Sequence, residues 1–367
     1  MAGNKRKGNR PSFVKILLVT VLVVVILVAV MFIALYAYMK TQYLGKSNYV
    51  KNQGYTINQD IQRETYVDEE GNVQVETDAT LESEKESEVL AEQEEVLQGL
   101  QEDTVENTGT YNLLLIGVDR RDDSWYGNSD VMMLVTVNHE RKTVYLTSFL
   151  RDLYANIPEV GVRKLNASCA YGGAELCVET IKRNYGVQID NYAMVDFNAM
   201  IEIVGMLGGI ELEVTEDEVK VANQYVKSMC AANDEPYEDH ELIGSGLLQL
   251  DGYQAVAYAR NRYTGQTSDF GRTERQRKVI SAIIDKAQSG GIGSINAFSS
   301  LLQAVLPYVT HDIDDGTLLK LVSKLPDWLE YSLEQQHIPY DGMYHSENEI
   351  LIPDMEETIK KLRETIY

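Results

Sequence analysis

The stretch YNLLLIGVD, from Tyr111 to Asp119, decides the fold, because it is a short and uninterrupted apolar run. Such a run is typical of a strand that is buried on both faces of a sheet, and this one delivers Asp119 at its carboxyl end. A second strand, DVMMLVTVN, begins just after Asp130. The residues HERK then form a predicted hairpin turn, and TVYLTSFL from Thr143 returns as a third strand.

The hairpin brings charged residues to one edge of the predicted sheet. Hairpin strands are antiparallel, so the third strand ends at the edge where the second begins. The third strand is followed by Arg151 and Asp152. We therefore expect these two residues to lie near Asp119 and Asp130.

Helical and strand patterns alternate beyond the hairpin. Helical spacing is found in GAELCVETIKRNYG, NAMIEIVGMLGG, residues 216–230 and residues 272–288, whereas YAMVDF and IELEV are typical of strands. Residues 252–262, GYQAVAYARNR, are predicted to begin as a helix and to continue into a strand, and the C-terminal third is mostly helical. The pattern predicts an α/β fold of the mixed α+β kind, in which helices sandwich a central mixed β-sheet.

Residues 258–278, YARNRYTGQTSDFGRTERQRK, concentrate positive charge in a chain whose formal net charge is −23. The predicted helix that begins near Gly271 offers free N–H groups and a dipole that favour an anion. Arginine adds a planar fork that can hold two phosphate oxygens at once. Strand alternation predicts that Arg260 and Arg262 share one face of a strand. Helical spacing predicts that Arg272, Arg275 and Gln276 share one face of the helix that follows.

The two aspartates that flank the loop after the first strand are suitable ligands for Mg²⁺. This ion typically takes one or two carboxylates together with phosphate oxygens and water. Asp119 and Asp130, combined with the arginines, predict a site for a pyrophosphate bound with Mg²⁺. The alternative is a surface salt-bridge network, in which the acidic residues only neutralise the arginines.

Composition excludes several other classes of protein. An acidic chain is poorly suited to wrap nucleic acid, which is bound through basic surface. The sequence contains neither GxxxxGK[ST] nor GxGxxG. The five histidines lie outside the charged segments, so a Ser–His or zinc mechanism has no visible base or ligand set: His139, His240, His311, His337 and His345.

The N terminus predicts a membrane anchor. Residues 16–39 run for 24 residues without a charge, which is long enough to span the roughly 30 Å hydrocarbon core. Five cations precede this run, and the lysines after it are sparser. The positive-inside bias therefore predicts a cytoplasmic tail at residues 1–15, a transmembrane signal-anchor helix at 16–39 and an extracellular remainder in a single-pass membrane protein.

Residues 40–108 are predicted to form an acidic extracellular stalk, because their polar composition leaves little to bury. The 4-3-4 spacing of Val89, Gln93, Val96 and Leu100 favours a helix with a weak dimerising seam. The three cysteines do not form a disulfide framework. Of these, Cys169 and Cys177 could pair across a Gly-Gly, but we favour small buried apolar side chains.

Seven motifs, in order, resemble the LytR-CpsA-Psr family of Gram-positive cell-wall enzymes, and the resemblance runs from Tyr111 to the C terminus. The motifs are LLIGVDRR, NSDVMMLVTVN, TSFLRDLY, KLNASCAYGG, VDFNAMIEIVGMLGGIELEV, LDGYQAVAYARNR and SDFGRTERQRKVI. The resemblance implies that residues 109–367 form a catalytic domain. Its implied activity is transfer of an anionic glycopolymer, such as teichoic acid or capsular polysaccharide, from a polyprenyl-pyrophosphate carrier to peptidoglycan.

The resemblance also assigns roles to individual residues. The magnesium ligands fall on Asp119 and Asp130, and the catalytic residues on Arg151, Asp152 and Asp269, whose carboxylates would orient arginines or take a proton. The pyrophosphate-binding residues fall on Arg121, Arg151, Arg260, Arg262, Arg272, Arg275 and Gln276. An apolar tunnel for the lipid is implied, although periodicity does not separate its lining from core.

Two positions depart from the family pattern. Asn128 stands where arginine is common, which would weaken a phosphate contact, and Leu150 stands where proline is common, which would change only the local turn. Two other functions remain open at this point. One is a pyrophosphatase, in which water replaces the sugar hydroxyl, and the other is a non-catalytic polymer-binding or signalling protein.

Overall fold

The predicted hairpin lies at the centre of the computed structural model, which describes residues 48–58, 65–67, 73–75, 83–102, 109–118, 127–264, 269–289, 306–328 and 330–367. The strands of this part of the chain are β1 (Asn48–Tyr49), β2 (Thr65–Val67), β3 (Val73–Val75), β4 (Thr110–Val118), β5 (Ser129–Asn138), β6 (Thr143–Phe149), β7 (Tyr154–Ile157), β8 (Gly161–Lys164), β9 (Asn191–Asp196), β10 (Ile210–Val214), β11 (Gly246–Leu250), β12 (Thr310–His311), β13 (Ser332–Ile338), β14 (Tyr344–Glu347) and β15 (Ile350–Pro353). The helices are α1 (Ser83–Glu102), α2 (Ala167–Tyr185), α3 (Phe197–Met206), α4 (Glu216–Asn233), α5 (Gly252–Arg260), α6 (Asp269–Ser289), α7 (Asp315–Trp328) and α8 (Met355–Ile366).

A seven-stranded mixed sheet has the order β1-β12-β9-β4-β5-β6-β13. The antiparallel pairs β4–β5 and β5–β6 are the predicted hairpin strands, in a register that places Leu114 opposite Leu134 and Met132 opposite Phe149. The β4–β9 and β6–β13 pairs are parallel, as expected for strands joined by long crossovers that contain helices. The predicted mixed sheet with helices on both faces is confirmed.

The two faces of β4 have different surroundings. Leu114, Ile116 and Val118 are buried in a core with Ile181 of α2 and Leu362 of α8. The alternate residues of the same strand point the other way and are less buried. Strand β4 is apolar on both faces. One face packs in this core, and residues of the other face line the cavity described below.

A second core joins the helices that cover this other face. It contains Val204 of α3, Val226 of α4, Val256 of α5 and Val279 of α6, together with the β10–β11 hairpin. Local sequence signals set the helix ends. For α4, Thr215 and Glu218 form a capping box, in which each side chain bonds the other residue's backbone N–H.

The prediction that residues 252–262 continue into a strand is wrong. They form helix α5, which ends at Arg260, and Arg262 lies in the loop that follows. Asp251 caps this helix in a capping box with Gln254, and the alanines that follow are strong helix formers. A short apolar run cannot by its periodicity separate a buried helix from a strand, which explains the error. Arg260 and Arg262 therefore do not share a strand face.

Two other expectations need correction. The C-terminal third is not mostly helical in its described part, because β13 joins the main sheet and β14 and β15 form a hairpin. Residues 48–58 and 83–102 of the predicted stalk belong to the compact unit Asn48–Tyr367. Within α1, Val89 is buried, and buried Gln93 donates to Asn184 Oδ1 at 2.7 Å. This segment does bury side chains, and its seam packs on its own chain, so we do not propose a dimer through it.

The predicted transmembrane segment, residues 16–39, lies outside the described residues, as does the cytoplasmic tail. None of the helices in the described part of the chain has the length and apolar character needed to cross a bilayer. The cysteine expectation is confirmed, since Cys169, Cys177 and Cys230 are buried free thiols. Burial raises the pKa of the Cys177 thiol to about 11.

Candidate active site

Five charged side chains meet at the edge where β5 begins and β6 ends. We call Asp130, Arg151, Arg262, Asp269 and Arg272 the charged cluster. Asp130 lies in β5 and Arg151 two residues after β6, while Asp269 and Arg272 lie in the first turn of α6 and Arg262 in the loop after α5. The prediction that the hairpin returns Arg151 to the edge of Asp130 is confirmed, because Arg151 Nη1 lies 3.3 Å from Asp130 Oδ1.

Two carboxylates hold the cluster together. Asp130 Oδ1 lies 3.1 Å from Arg272 Nη1 and 4.0 Å from Arg262 Nη2. Asp269 accepts a hydrogen bond from Arg272 Nη2, lies 3.4 Å from Arg151 Nε, and accepts from the Arg151 backbone N–H at 3.3 Å. Arg272 bridges both aspartates with the two ends of its fork, which suits a guanidinium and would not suit a lysine.

The environments of the two aspartates push their pKa values apart. Burial opposes the ionisation of Asp130, but the positive charges of Arg272, Arg151 and Arg262 outweigh it and lower the pKa of this carboxyl well below its usual range. Burial raises the pKa of Asp269, and the same arginines only partly offset that rise. These surroundings favour the carboxylate form of Asp130, whereas Asp269 is the easier of the two to protonate.

The arginines of the cluster are crowded. Burial and the neighbouring charges of Arg272 and Arg151 lower the pKa of Arg262. The five residues of the cluster hold three guanidinium groups and two carboxylates, and a third carboxylate, that of Asp152, approaches Arg151 at 3.7 Å. A bound anion would relieve the repulsion among these guanidinium groups.

The other predicted pyrophosphate ligands are divided between two locations. The guanidinium of Arg260 stacks over Phe197 at 4.3 Å and over Tyr225 at 5.1 Å from the ring centroids. Gln276 donates to the Asp130 carbonyl at 3.2 Å. Arg275, in contrast, is turned toward Glu218, to which its Nε donates at 2.8 Å. The structure brings Gln276 to the cluster but not Arg275.

Asp152 lies behind the cluster and has a partner that sequence reasoning missed. Its Oδ1 is 3.7 Å from Arg151 Nε and 3.1 Å from Lys164 Nζ. Lys164 is 8% exposed and also approaches the exposed Glu349 at 3.4 Å. The sequence could have drawn attention to Lys164, since it is the first residue of the motif KLNASCAYGG.

The remaining predicted positions are only partly visible. Asp119 and Arg121 lie outside the described residues, and Asn128 is half-buried just before β5. Leu150 is fully buried and donates its backbone N–H to the Ile338 carbonyl at 3.0 Å. A proline at position 150 could not make this bond, so the departure from the family pattern gives the local turn one additional hydrogen bond.

A cavity of about 930 Å³ opens beside the cluster, between the sheet and helices α3 to α6. The charged and amide side chains of its lining near the cluster are Asp130, Arg260, Arg262, Arg272 and Gln276, and Asp196, Gln224 and Ser228 add further polar lining. Its apolar lining comes from the second face of the sheet and from the covering helices, and includes Leu115, Met133, Val195, Met200, Ile203 and Val256. Sequence periodicity missed this cavity, because residues that line a cavity and residues that fill a core have the same spacing.

One face of helix α6 runs along this cavity from charged to apolar. Arg272, Gln276, Val279, Ile280 and Ile283 all line it, at spacings of 4, 3, 1 and 3 residues. At 1.5 Å per residue, this lining face extends about 16 Å from Arg272 to Ile283, and roughly its last 6 Å, from Val279, are apolar. The cavity therefore suits an elongated amphipathic ligand, whose anionic head would meet the arginines and whose tail would follow the helix.

The described residues offer a limited set of metal ligands. No group of three or more His, Cys, Asp or Glu side chains in this part of the chain could hold a metal ion. Asp130 lines the cavity, and the neighbouring arginines lower its pKa and so favour its carboxylate form. Because Mg²⁺ is often bound by one or two carboxylates with phosphate oxygens and water, this donor fits that ion.

Comparison with known proteins gives consistent matches. The model of the LytR_cpsA_psr family matches residues 65–365. The polyisoprenyl-teichoic acid–peptidoglycan teichoic acid transferase TagU of Enterococcus faecalis is 32% identical over 218 residues, which cover 59% of this chain and 65% of that protein. Biofilm regulatory protein A of Streptococcus mutans is 30% identical over 245 residues, which cover 64% of this chain and 56% of that protein. The chain thus spans less than two thirds of the length of either relative.

A solved structure is similar over most of its length. The LytR-CPS2A-psr family protein YwtF (TagT) with bound octaprenyl pyrophosphate lipid superposes with a TM-score of 0.51 at 25% sequence identity. The superposition covers 71% of this chain and 91% of that one. That protein therefore has the same fold as the domain described above.

Proposed function

The chain belongs to the LytR_cpsA_psr family, and from that premise we propose that it transfers an anionic glycopolymer from a polyprenyl-pyrophosphate carrier to peptidoglycan. The glycopolymer would be a teichoic acid or a capsular polysaccharide. The observation that carries this proposal is a cavity with arginines at one end of helix α6 and apolar side chains of the sheet and of helices α3 to α6 farther along. A polyprenyl pyrophosphate has the same division into an anionic head and an apolar tail.

The arginines would act on the phosphates. Arg260, Arg262, Arg272 and Gln276 line the cavity and would bind the pyrophosphate, while Arg151 supports Asp130 from behind. A sugar hydroxyl of peptidoglycan attacks the phosphorus next to the glycopolymer. A new P–O bond forms, the bridging P–O bond breaks, and the polyprenyl phosphate leaves. Fixed positive charge stabilises the negative charge that develops on the phosphoryl oxygens.

The hydroxyl proton needs a carboxylate that can accept it. Asp269 is engaged by Arg272 and by Arg151, so we assign it the role of orienting these arginines. The Asp152 side chain keeps 19% of its surface exposed, compared with 8% for Asp269. We therefore assign the proton to Asp152, which would take it through a water molecule because this residue does not line the cavity. Lys164 at 3.1 Å favours its carboxylate form.

Mg²⁺ is part of the proposal. Asp130, together with Asp119, would hold the ion, which would neutralise phosphate charge when bound. The ionised state of Asp130 and its place in the cavity lining support this assignment. The contacts of Asp130 with Arg262 and Arg272 are made by its Oδ1 atom, so Oδ2 is the atom that we propose for the ion.

Transfer is tested with the full-length protein in detergent, a polyprenyl-pyrophosphate glycan and peptidoglycan fragments. We expect a phosphodiester conjugate by mass spectrometry, and we expect Arg260→Ala and Arg262→Ala each to lower its rate on the order of 100- to 1,000-fold. Arg183→Ala is the matched control, because this arginine is 60% exposed on α2 and away from the cavity.

Other products would decide against transfer. Free glycopolymer phosphate formed with water would indicate a pyrophosphatase. Unchanged substrate that nevertheless binds would indicate a binding or regulatory protein, the class suggested by the name of the Streptococcus mutans relative. If both arginine variants had near-normal turnover and native melting temperatures, the cluster would be a structural salt-bridge network and not a phosphate site.

We also propose that the domain lies outside the cell on a single-pass anchor. The support is the uncharged run at residues 16–39 and the basic cluster that precedes it. Protease added to intact protoplasts is expected to remove the domain, as followed by an antibody against its C terminus. Protection of the domain in intact protoplasts, but not in lysed ones, would contradict this topology.

A further inference from the structure

Arg275 uses its side chain for a buried contact network instead of the cavity. Its Nε donates to Glu218 Oε1 at 2.8 Å, and its Nη1 donates to the Asn261 carbonyl at 3.1 Å. Its Nη2 donates to the carbonyl of Thr264 and to Thr264 Oγ1, the latter at 2.8 Å. A guanidinium has five N–H donors, so these contacts leave at most one for any other ligand. The side chain is 6% exposed.

These contacts converge on the short loop that carries Arg262. The loop follows the end of α5 and has no helix or strand ladder of its own. Asn261 is fully buried and closes it from within, by donating to Thr264 Oγ1 at 2.9 Å and accepting from the Tyr263 N–H at 2.9 Å. The backbone position of Arg262 is thus set by side-chain bonds, and Arg275 supplies three of them.

Glu218 fixes the other end of this network. It is 8% exposed in the first turn of α4. One carboxylate oxygen binds Arg275, and the other accepts from the Thr215 backbone N–H at 3.0 Å and from Thr215 Oγ1 at 3.1 Å. The same helix supplies Tyr225, over which Arg260 stacks. Glu218 therefore connects two elements that place cavity arginines.

We propose that Glu218 and Arg275 form a positioning clamp, which holds the Asn261–Thr264 loop so that Arg262 faces the pyrophosphate. The inference rests on the proposed function and corrects the predicted role of Arg275 as a phosphate ligand. Neither residue of the clamp lines the cavity, whereas Arg262 does. Both clamp residues act through Arg262 and do not touch the substrate.

The two roles of Arg275 predict opposite effects of a change at Glu218. If Arg275 bound phosphate directly, Glu218→Gln would release it from a competing carboxylate and would preserve or improve lipid binding. If Arg275 positions the loop, Glu218→Gln loosens the clamp and lowers turnover. Small displacements of a catalytic group can cost on the order of 100-fold, so we expect roughly 10- to 100-fold losses for Glu218→Gln and for Arg275→Lys.

A double-mutant cycle in the full-length protein tests the clamp. Arg262→Ala and Arg275→Lys are compared singly and together in the transfer assay. A residue that acts through Arg262 adds little once Arg262 is gone, so the double variant should lose no more than about threefold beyond Arg262→Ala alone. Glu274→Gln is the matched control on the same helix, because it breaks the exposed Glu274–Lys278 pair and should stay within twofold of the unaltered protein.

Hydrogen exchange separates failure of the clamp from failure of the proposed function. Glu218→Gln and Arg275→Lys are expected to raise amide exchange in the Asn261–Thr264 loop without changing exchange in β4 and β5. This readout is valid even if the unaltered protein proves to transfer nothing, a result that would overturn only the proposed function. Two results would overturn the clamp. One is a double variant whose loss of transfer rate equals the product of the losses in Arg262→Ala and Arg275→Lys, and the other is unchanged amide exchange of the Asn261–Thr264 loop in both Glu218→Gln and Arg275→Lys.

Discussion

Arg272→Ala is expected to lose transfer almost completely and to destabilise the domain. The side chain is 2% exposed and bridges two buried carboxylates, so its removal takes away one of the two cations that Asp130 and Asp269 share, the other being Arg151. Breaking a buried ion pair from one side commonly costs about 3–5 kcal/mol of unfolding free energy. Loss of a preorganised charge at the reacting phosphate costs on the order of 100- to 1,000-fold in rate. Denaturant unfolding and the transfer assay measure the two effects.

Arg272→Lys separates the two effects. Lysine keeps the charge but cannot reach both carboxylates with a planar fork, so we expect partial recovery of stability and little recovery of rate. The exposed Arg183 serves again as control. If the alanine variant were unstable but each folded molecule turned over normally, Arg272 would be a structural residue only.

Asp130→Asn is expected to lose activity most severely at low Mg²⁺, on the order of 100-fold, with partial recovery as Mg²⁺ rises. An amide is a weaker ligand than a carboxylate for this hard cation, and phosphate oxygens must then supply more of its shell. The arginines hold the pKa of Asp130 well below its usual range, so the defect should be constant through neutral and mildly acidic pH. Transfer rates across a Mg²⁺ titration measure this effect.

Binding provides a second readout for the metal. In calorimetry with octaprenyl pyrophosphate, Mg²⁺ should tighten binding by the unaltered protein and have a smaller effect on Asp130→Asn. Asp130 also pairs with Arg151 and Arg272, so a loss of stability alone would not identify a metal ligand. Turnover that persists in excess EDTA would show that these pairings are its whole role.

The strands of the hairpin could be predicted from local sequence because their signals are local. Apolar runs, the HERK turn and the chain direction after it place Asp130 and Arg151 at one edge without any knowledge of the rest of the fold. The helix caps also depend on local sequence, since the capping boxes Thr215–Glu218 and Asp251–Gln254 each span four residues. The family resemblance rests on motifs that are contiguous in sequence, and the family match confirms it.

Gly252–Arg262 shows where local patterns fail. Val256, Tyr258 and Arg260 alternate as they would in a strand, yet they belong to a helix that is buried in the second core. The choice depends on what packs against the segment. Gly252 illustrates this, because a Cβ there would meet the Ile201 carbonyl at 2.2 Å, a contact between helices that neither sequence segment reveals.

The direction of each arginine was decided by tertiary structure. Arg272, Arg275 and Gln276 share a helical face by spacing, yet only the first and third reach Asp130, and Arg275 turns to Glu218, which lies 57 residues earlier. A spacing of three or four residues determines which face of the helix a side chain lies on. It does not determine which of the partners near that face a long side chain bonds. Those partners come from other elements, so spacing alone could not predict that Arg275 bonds Glu218.

The sequence by itself determined the family, the central strands and most of the charged residues that meet at their edge. Only the tertiary structure decided that Leu115 and Met133 line a cavity while Leu114 and Leu134 fill a core. The sequence of a strand shows which of its two faces carry apolar side chains, and in β4 and β5 both faces do. Whether a face meets close-packed side chains or open space depends on how far away the covering helices α3 to α6 are held, and that distance is set by contacts among segments far apart in the chain.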